Sequence, residues 1–343
     1  MSRVKSQQIS RTSTKLASLT LAFVLAPMLA LCGCSAIQVK LGMKVYVAQL
    51  PIATMQASLP RDPGIAPGEK SSLVVTLTQP DGRVWVTEGA GKGKILWSDL
   101  AIAASVVSAS KKGVLSLPRD PRLSDGKAGH VIVTVASHPD LRAELDIPLR
   151  YNYKFVSNFS GSSGSSGING SDGTDGASGS TGSMDPDQPS AGGNGTDGTD
   201  GSNGQDGGAG SDAPPVDVRV TLRSGPHPLL QAGVSAPGHK QRFYLVDPQG
   251  GSLTVTADGG PGGSGGKGGR GGRGGSGGMG TPNGSSGRDG SDGRNGFDGS
   301  QGRGGQITVT YDPQAKPFLN VIRLSNRGGP PPEFNEEPVA SLW

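Results

Sequence analysis

Residues 259–280 read GGPGGSGGKGGRGGRGGSGGMG. Two of every three residues are glycine, and the third position holds Pro261, Ser264, Lys267, Arg270, Arg273, Ser276 and Met279 in turn. A flexible linker needs no such rule. The rule also extends beyond this stretch. The register of Gly260 is glycine at fifteen of sixteen positions up to Gly305, with Thr281 as the exception. Glycine recurs every third residue eight times in 161–182 and seven times in 192–210. Four runs result, of 22, 19, 22 and 22 residues: 161–182, 192–210, 259–280 and 284–305.

A period of three matches the polyproline II backbone, with three residues per turn and about 3.1 Å of rise. Each register of the sequence then forms one face. From 284 onward one face is bare glycine, a second carries Arg288, Arg294, Phe297 and Arg303, and a third carries Asp289, Asp292, Asn295 and Asp298. A bare face admits another backbone closely enough for N–H to C=O bonds between helices. The pattern resembles the polyglycine II bundles of glycine-rich antifreeze proteins and of phage tail-fibre adhesins. It also resembles collagen-like sequence. Collagen wants proline at the other positions, yet the register of 161–182 has none and 259–305 has only Pro261 and Pro282. Disordered Gly tracts are the third alternative, since Gly and Ser with little apolar content make a solvated linker and glycine is entropically costly to order.

Joints at 183–191 (SMDPDQPSA) and 281–283 (TPN) carry turn residues and break the period. Each pair of runs is therefore expected to go out and come back, a projection of roughly 70 Å from a β-hairpin. The near-copied segments GSLTVTAD (251–258) and GQITVTYD (305–312) bracket the second pair and are expected to form an antiparallel ladder. The first tract holds eight aspartates and no base. The second has six bases against three aspartates, so opposite charge favours contact between the pairs, weakly at exposed positions.

The rest of the chain reads as all-β. β-rich runs at 37–47, 72–78, 83–87, 114–117, 130–136 and 142–153 are separated by Pro80-Asp81-Gly82, Lys112-Gly113 and Ser124-Asp125-Gly126. This spacing predicts a β-sandwich over 34–156, which resembles immunoglobulin-like modules at the level of pattern only. Residues 100–109 (LAIAASVVSA) fit a short helix or a buried strand equally. The expected division is a signal at 1–33, the sandwich at 34–156, an acidic Gly-rich tract at 157–213, a β module at 214–327 containing 259–305, and a flexible tail at 328–343.

The N-terminus reads as an export signal. Arg3, Lys5, Arg11 and Lys15 precede an apolar run at 16–31 that is too short and wrongly flanked for a membrane span. It ends in Leu31-Cys32-Gly33-Cys34-Ser35, which resembles the bacterial lipobox. The resemblance implies lipidation of Cys34 and cleavage before it, because Gly33 supplies the small preceding residue. The implied partner is membrane lipid through acylated Cys34, and the implied location is the cell envelope, with Ser35 favouring the outer membrane. Residues 1–33 hold four bases and no acid. Removing them leaves 28 charges of each sign, so the basic balance of the whole chain is no argument for nucleic acid. One cysteine then remains and no disulfide framework is possible.

Catalytic signals are absent. Gly89-Ala-Gly-Lys-Gly-Lys94 lacks the Ser or Thr that a phosphate loop needs after its lysine, and Ile95 follows. GGNGTD at 192–197 and GGAGSD at 207–212 echo a calcium-binding nonapeptide but lie 15 residues apart. His130, His138, His227 and His239 show no ligand spacing. Neither cofactor nor metal is expected. Trp85 in RVWVT shares a face with Arg83 and Thr87 and is a candidate sugar platform, whereas Trp97 is expected in the core. The expected role is structural, spacing or adhesive, with recognition of an envelope glycan or host surface as the alternative.

Overall fold

A computed structural model describes residues 35–60, 63–223, 225 and 227–343. Residues 1–34, which include the expected signal and Cys34, lie outside the described residues. The chain divides into two compact units: Met1–Arg119 with Gly126–Leu149, and Asp120–Asp125 with Arg150–Trp343.

The first unit opens with a short helix, α1 (Ser35–Lys40), where a β-rich run was expected. A glycine cap ends it. Gly42 sits at φ +67° and donates to the Val39 carbonyl, while Met43 N–H reaches back to Gln38. Nine strands follow: β1 (Thr54–Ser58), β2 (Lys70–Ser72), β3 (Val74–Thr78), β4 (Val84–Val86), β5 (Leu100–Ser105), β6 (Ser108–Ala109), β7 (Val114–Ser116), β8 (Gly129–Val135) and β9 (His138–Ile147). They form three antiparallel sheets, ordered β1-β3-β4, β2-β7-β6 and β5-β8-β9. Alternation decides which side chains turn inward: Val131, Val133 and Val135 of β8 are buried and the residues between them are not. They join Ile65, Leu73, Leu77, Ile95, Leu115 and Ile147 in one core.

The undecided stretch 100–109 is strand, broken at Val106, whose φ of +66° is costly for a β-branched residue. Trp97 is 6% exposed, as expected of a core residue. Its indole dictates Gly113, where a Cβ would lie 2.2 Å from the Trp97 Cζ2 and φ is +68°.

The second unit contains β10 (Lys154–Asn158), β11 (Val216–Arg223), β12 (Leu229–Ser235), β13 (Arg242–Val246), β14 (Ser252–Thr256), β15 (Ile307–Tyr311), β16 (Ile322–Ser325) and β17 (Glu333–Glu336). One sheet runs β10-β14-β16, all parallel, and the other β13-β12-β11-β15-β17. Their inward faces share a core that includes Val218, Val220, Leu230, Val234, Leu253, Val255, Ile307 and Val309. The four glycine runs are inserted between strands: runs 1 and 2 (161–182, 192–210) between β10 and β11, and runs 3 and 4 (259–280, 284–305) between β14 and β15.

The runs form a hydrogen-bonded bundle. Run 1 donates to run 3 in parallel, from Gly161 N–H to the Asp258 carbonyl through Gly182 to Met279, at 2.6–2.9 Å. Run 2 donates to run 4 in parallel, Gly192 to Pro282 through Gly210 to Ser300. Runs 2 and 1 are antiparallel, as in Thr199 N–H to Thr174 O, and so are runs 3 and 2 (Gly269 to Ser202) and runs 4 and 3 (Gly293 to Gly269). Bonds recur every third residue in all five ladders, as the period requires. No glycine within the four runs has a positive φ. These glycines serve by lacking a Cβ, not by visiting conformations closed to other residues. The tracts are thus an ordered single-chain bundle, not collagen-like strands awaiting two partner chains.

Three expectations are corrected. First, the copied strands β14 and β15 do not pair with each other; they lie in different sheets. β14 pairs in parallel with β10, and β15 with β11, because the two glycine hairpins stack and each leg carries its register into its flanking strand. Second, β10 belongs with β14, so the first unit ends at Leu149 and not at 156. Third, the tail is docked. β17 pairs with β15. Buried Gln231, 2% exposed, needs partners for its amide and accepts from Leu342 N–H at 3.0 Å. Trp343 Nε1 donates to Asp125 at 2.9 Å.

A Cβ at Gly269 would stand 1.9 Å from the Ser171 carbonyl oxygen. We therefore expect Gly269→Val to cost more than about 4 kcal/mol or abolish cooperative unfolding of the second unit. Arg270→Val, one residue on at an exposed position, should stay within about 1 kcal/mol. Thermal unfolding by circular dichroism distinguishes them, and equal effects at both positions would contradict the packed register.

Candidate functional site

The surface that sets this protein apart is the outside of the glycine bundle. Many N–H groups are bonded by the ladders, but others face the grooves where two runs meet. Side chains from the neighbouring run accept from them. On run 1, Asn169, Asp172 and Asp175 accept from Lys267, Arg270 and Arg273 N–H, each at 2.8 Å. On run 2 and just past it, Asn194, Asp197, Asp200, Asn203, Asp206 and Asp212 accept from residues 91 positions later, Arg288, Arg294, Phe297 and Arg303 among them, at 2.6–2.9 Å. On run 4, Asp289, Asp292, Asn295 and Asp298 accept from Gly274, Gly271, Gly268 and Gly265. Between runs 1 and 2 hydroxyls take the same part: Thr196, Thr199 and Ser202 accept from Ala177, Thr174 and Ser171 N–H.

Opposite charge is thus used differently from the simple expectation. Among the described residues no ion pair joins the runs. The carboxylates bond backbone N–H groups of the basic run, a charge-assisted contact stronger than a neutral one. The cationic heads stay in solvent. Columns of exposed side chains result, successive members of one column lying about 9 Å apart, three residues of 3.1 Å rise. One of them carries Arg288, Arg294, Phe297 and Arg303, with Phe297 80% exposed.

The sequence reading found the columns but missed the capping role. The signal was present: in runs 1, 2 and 4 the residue before a glycine is repeatedly Asp or Asn, as in Ser171-Asp172-Gly173-Thr174-Asp175-Gly176. Asp and Asn are the short acceptors that hydrogen-bond nearby backbone.

Where the strands enter the bundle, Asp258 is a joint. Its carboxylate accepts from the Ser325 hydroxyl and the Arg327 N–H, both at 2.7 Å, and its own carbonyl receives Gly161 N–H. Burial pushes this carboxyl up, but the bonds from Ser325 and Arg327 and the Arg327 charge outweigh it and hold it below the ordinary value. At the other end of β15, Glu336 lies below its usual range because Lys316 and the Tyr311 hydroxyl bond it.

Trp85 is not a free platform. It is half-buried against the first core, its Nε1 donating to buried Gln79 at 3.1 Å, while Thr87 on the same face is fully buried and Val84 is the exposed neighbour. The Gly89–Gly91 stretch forms a tight turn with Lys92 at φ +53°, and Lys94 Nζ bonds the Gly42 carbonyl. The calcium-like segments 192–197 and 207–212 lie in and beside run 2 as ladder and caps. His227 faces Asp247 at 2.9 Å and His130 faces Asp146 at 2.7 Å. Among the described residues no cluster of His, Cys, Asp and Glu is placed to hold a metal, and no helix is long and apolar enough to cross a membrane. No protein-family model matches the chain, and comparison with curated proteins returns no similar sequence.

Two outcomes are expected. Asp292→Ala should expose Gly271 N–H, speeding its hydrogen exchange and costing about 1 kcal/mol, with the amides of the inward ladder at Gly269 unchanged. The second concerns acid. Because the folded state depresses the Asp258 pKa, its contribution is fully present above the ordinary carboxylate value and is lost as pH falls through its own lower value. Asp258→Asn should therefore be less stable than wild type at neutral pH and converge with it in strong acid, as urea melts across pH would show.

Proposed function

We propose that the protein is a lipid-anchored lipoprotein of a bacterial cell envelope with a structural, spacing or adhesive role, and not an enzyme. The observation that carries the structural part is the five-ladder bundle. Backbone bonds every third residue between four extended runs make a stiff element that needs almost no apolar interior. A relaxed linker of that length would instead coil. The anchoring part rests on the lipobox-like residues ending at Cys34, and outer-membrane placement rests on Ser35. A sandwich-type first unit would sit between anchor and bundle in the chain.

A second reading is binding of surface polysaccharide or a host surface. The exposed column of Arg288, Arg294, Phe297 and Arg303 favours it, since repeated cations and an aromatic ring in one register suit a repeating anionic chain. Mass spectrometry of the N-terminus should find acylated Cys34 with residues 1–33 removed, and Cys34→Ser should release the protein from membranes. An intact, unacylated N-terminus would overturn the anchored reading. Glycan binding that Phe297→Ala with Arg294→Ser abolishes would favour adhesion over spacing.

A further inference from the structure

The outer strand β5 reads LAIAAS and pairs with β8 on one side only. Among the described residues no strand pairs with its other edge; the further backbone bonds are local, Leu100 N–H to the Trp97 carbonyl and Val107 N–H to the Ser105 carbonyl. An edge strand presents alternate N–H and C=O groups outward, and natural proteins blunt such edges with charge, proline or brevity. The other outer strands here follow that rule, except β1, which has five residues and no charge but a neighbouring strand beside it. β9 carries Asp140, Arg142, Glu144 and Asp146, β17 carries Glu333 and Glu336, β10 carries Lys154, β13 carries Arg242 and β16 carries Arg323. β4 is three residues long, β6 two, β2 three with Lys70, and β1 packs beside β9. β5 has six residues, neither charge nor proline, and exposed Ala101, Ala103, Ala104 and Ser105.

A groove of about 940 Å³ lies alongside, lined by Trp97, Leu100, Ile102, Ala109, Lys111 and Lys112 among others. Its lining mixes apolar side chains with the two lysines and a single acid, Glu88. Glu88, the acid in its lining, is already paired with Lys44 at 2.8 Å and accepts from Trp97 N–H. Among the described residues Lys111 and Lys112 make no ion pair.

We propose that β5 is a strand-addition site for an extended, acidic segment of a partner protein. The segment's backbone would complete the open edge, alternate apolar side chains would enter the groove, and carboxylates would meet Lys111 and Lys112. A second copy of the chain fits worse, since LAIAAS brings no acid to those lysines.

The test uses the full-length chain and a fluorescent peptide of alternating valine and threonine ending in two aspartates. Fluorescence anisotropy should show binding, and hydrogen exchange should slow at 100–105 and not at β9. Lys111→Glu with Lys112→Glu, both at the surface, should weaken binding by about tenfold or more, as should replacing the peptide's aspartates by lysines. Absence of binding, binding without protection at 100–105, or indifference to both charge reversals would overturn the proposal. So would concentration-dependent dimerisation that protects 100–105 without peptide.

Discussion

The structure of the second unit depends on one constraint, that four backbones must lie within hydrogen-bond distance along their whole length. N–H to O distances of 2.6–3.0 Å across the five ladders leave no room for a Cβ on the inward registers. At Gly263, Gly269 and Gly299 that atom would fall 1.9 Å from a neighbouring carbonyl oxygen. Glycine is entropically the costliest residue to order. The bundle offsets this through the number of bonds it makes and not through burial of oil, since each net bond contributes only about 1 kcal/mol. Cooperativity follows from this: a single run has no internal hydrogen bonds and is stable only beside its neighbours.

The same constraint explains the outer columns. Runs 2 and 3 each touch three neighbours, whereas runs 1 and 4 touch two. Run 3 is bare on two registers, and its column through Gly260, Gly263 and Gly266 is buried at the centre. The remaining registers carry side chains, and many of these cap N–H groups that would otherwise compete for water. An outward face furnished in this way admits no fifth backbone. The bundle is closed by the chemistry that keeps it soluble, which is the problem any exposed row of backbone groups must solve.

What was legible in the sequence was whatever a period could encode. Period three announced the runs and their joints, and period two announced β8 through Val131, Val133 and Val135. The partner of each strand was not legible, since 252–256 and 307–311 are near copies and a copy suits an antiparallel hairpin as well as two parallel ladders. Stacking of the two hairpins decided it, a non-local fact. The docked tail was hidden because GGPPPEFNEEP looks unstructured, and only the demands of Gln231 and the open side of β15 give it a place. The setting of Trp85 was hidden for a related reason: alternation told which residues share a face, but not that the indole packs partly against the core.

The register shows why bundle and sheets are one device. Lys154 pairs with Ser252 and Asp172 caps Arg270, both 98 residues apart, so β10–β14 and runs 1–3 hold one unbroken offset. Asn194 caps Ser285 and Val216 pairs with Ile307, both 91 apart, so runs 2–4 and β11–β15 hold another. The difference of seven arises at the joints: 183–191 is six residues longer than 281–283, and Gly192 stands level with Asn283, one residue before run 4 begins. Length variation is therefore confined to the turns that join the runs. Within the runs a shift of one residue would drive a side chain into a carbonyl at every step, whereas a change of three in all four runs together would preserve every column and ladder. A fold built this way can change length in units of one turn while its sheets stay fixed, which is a property suited to a spacer.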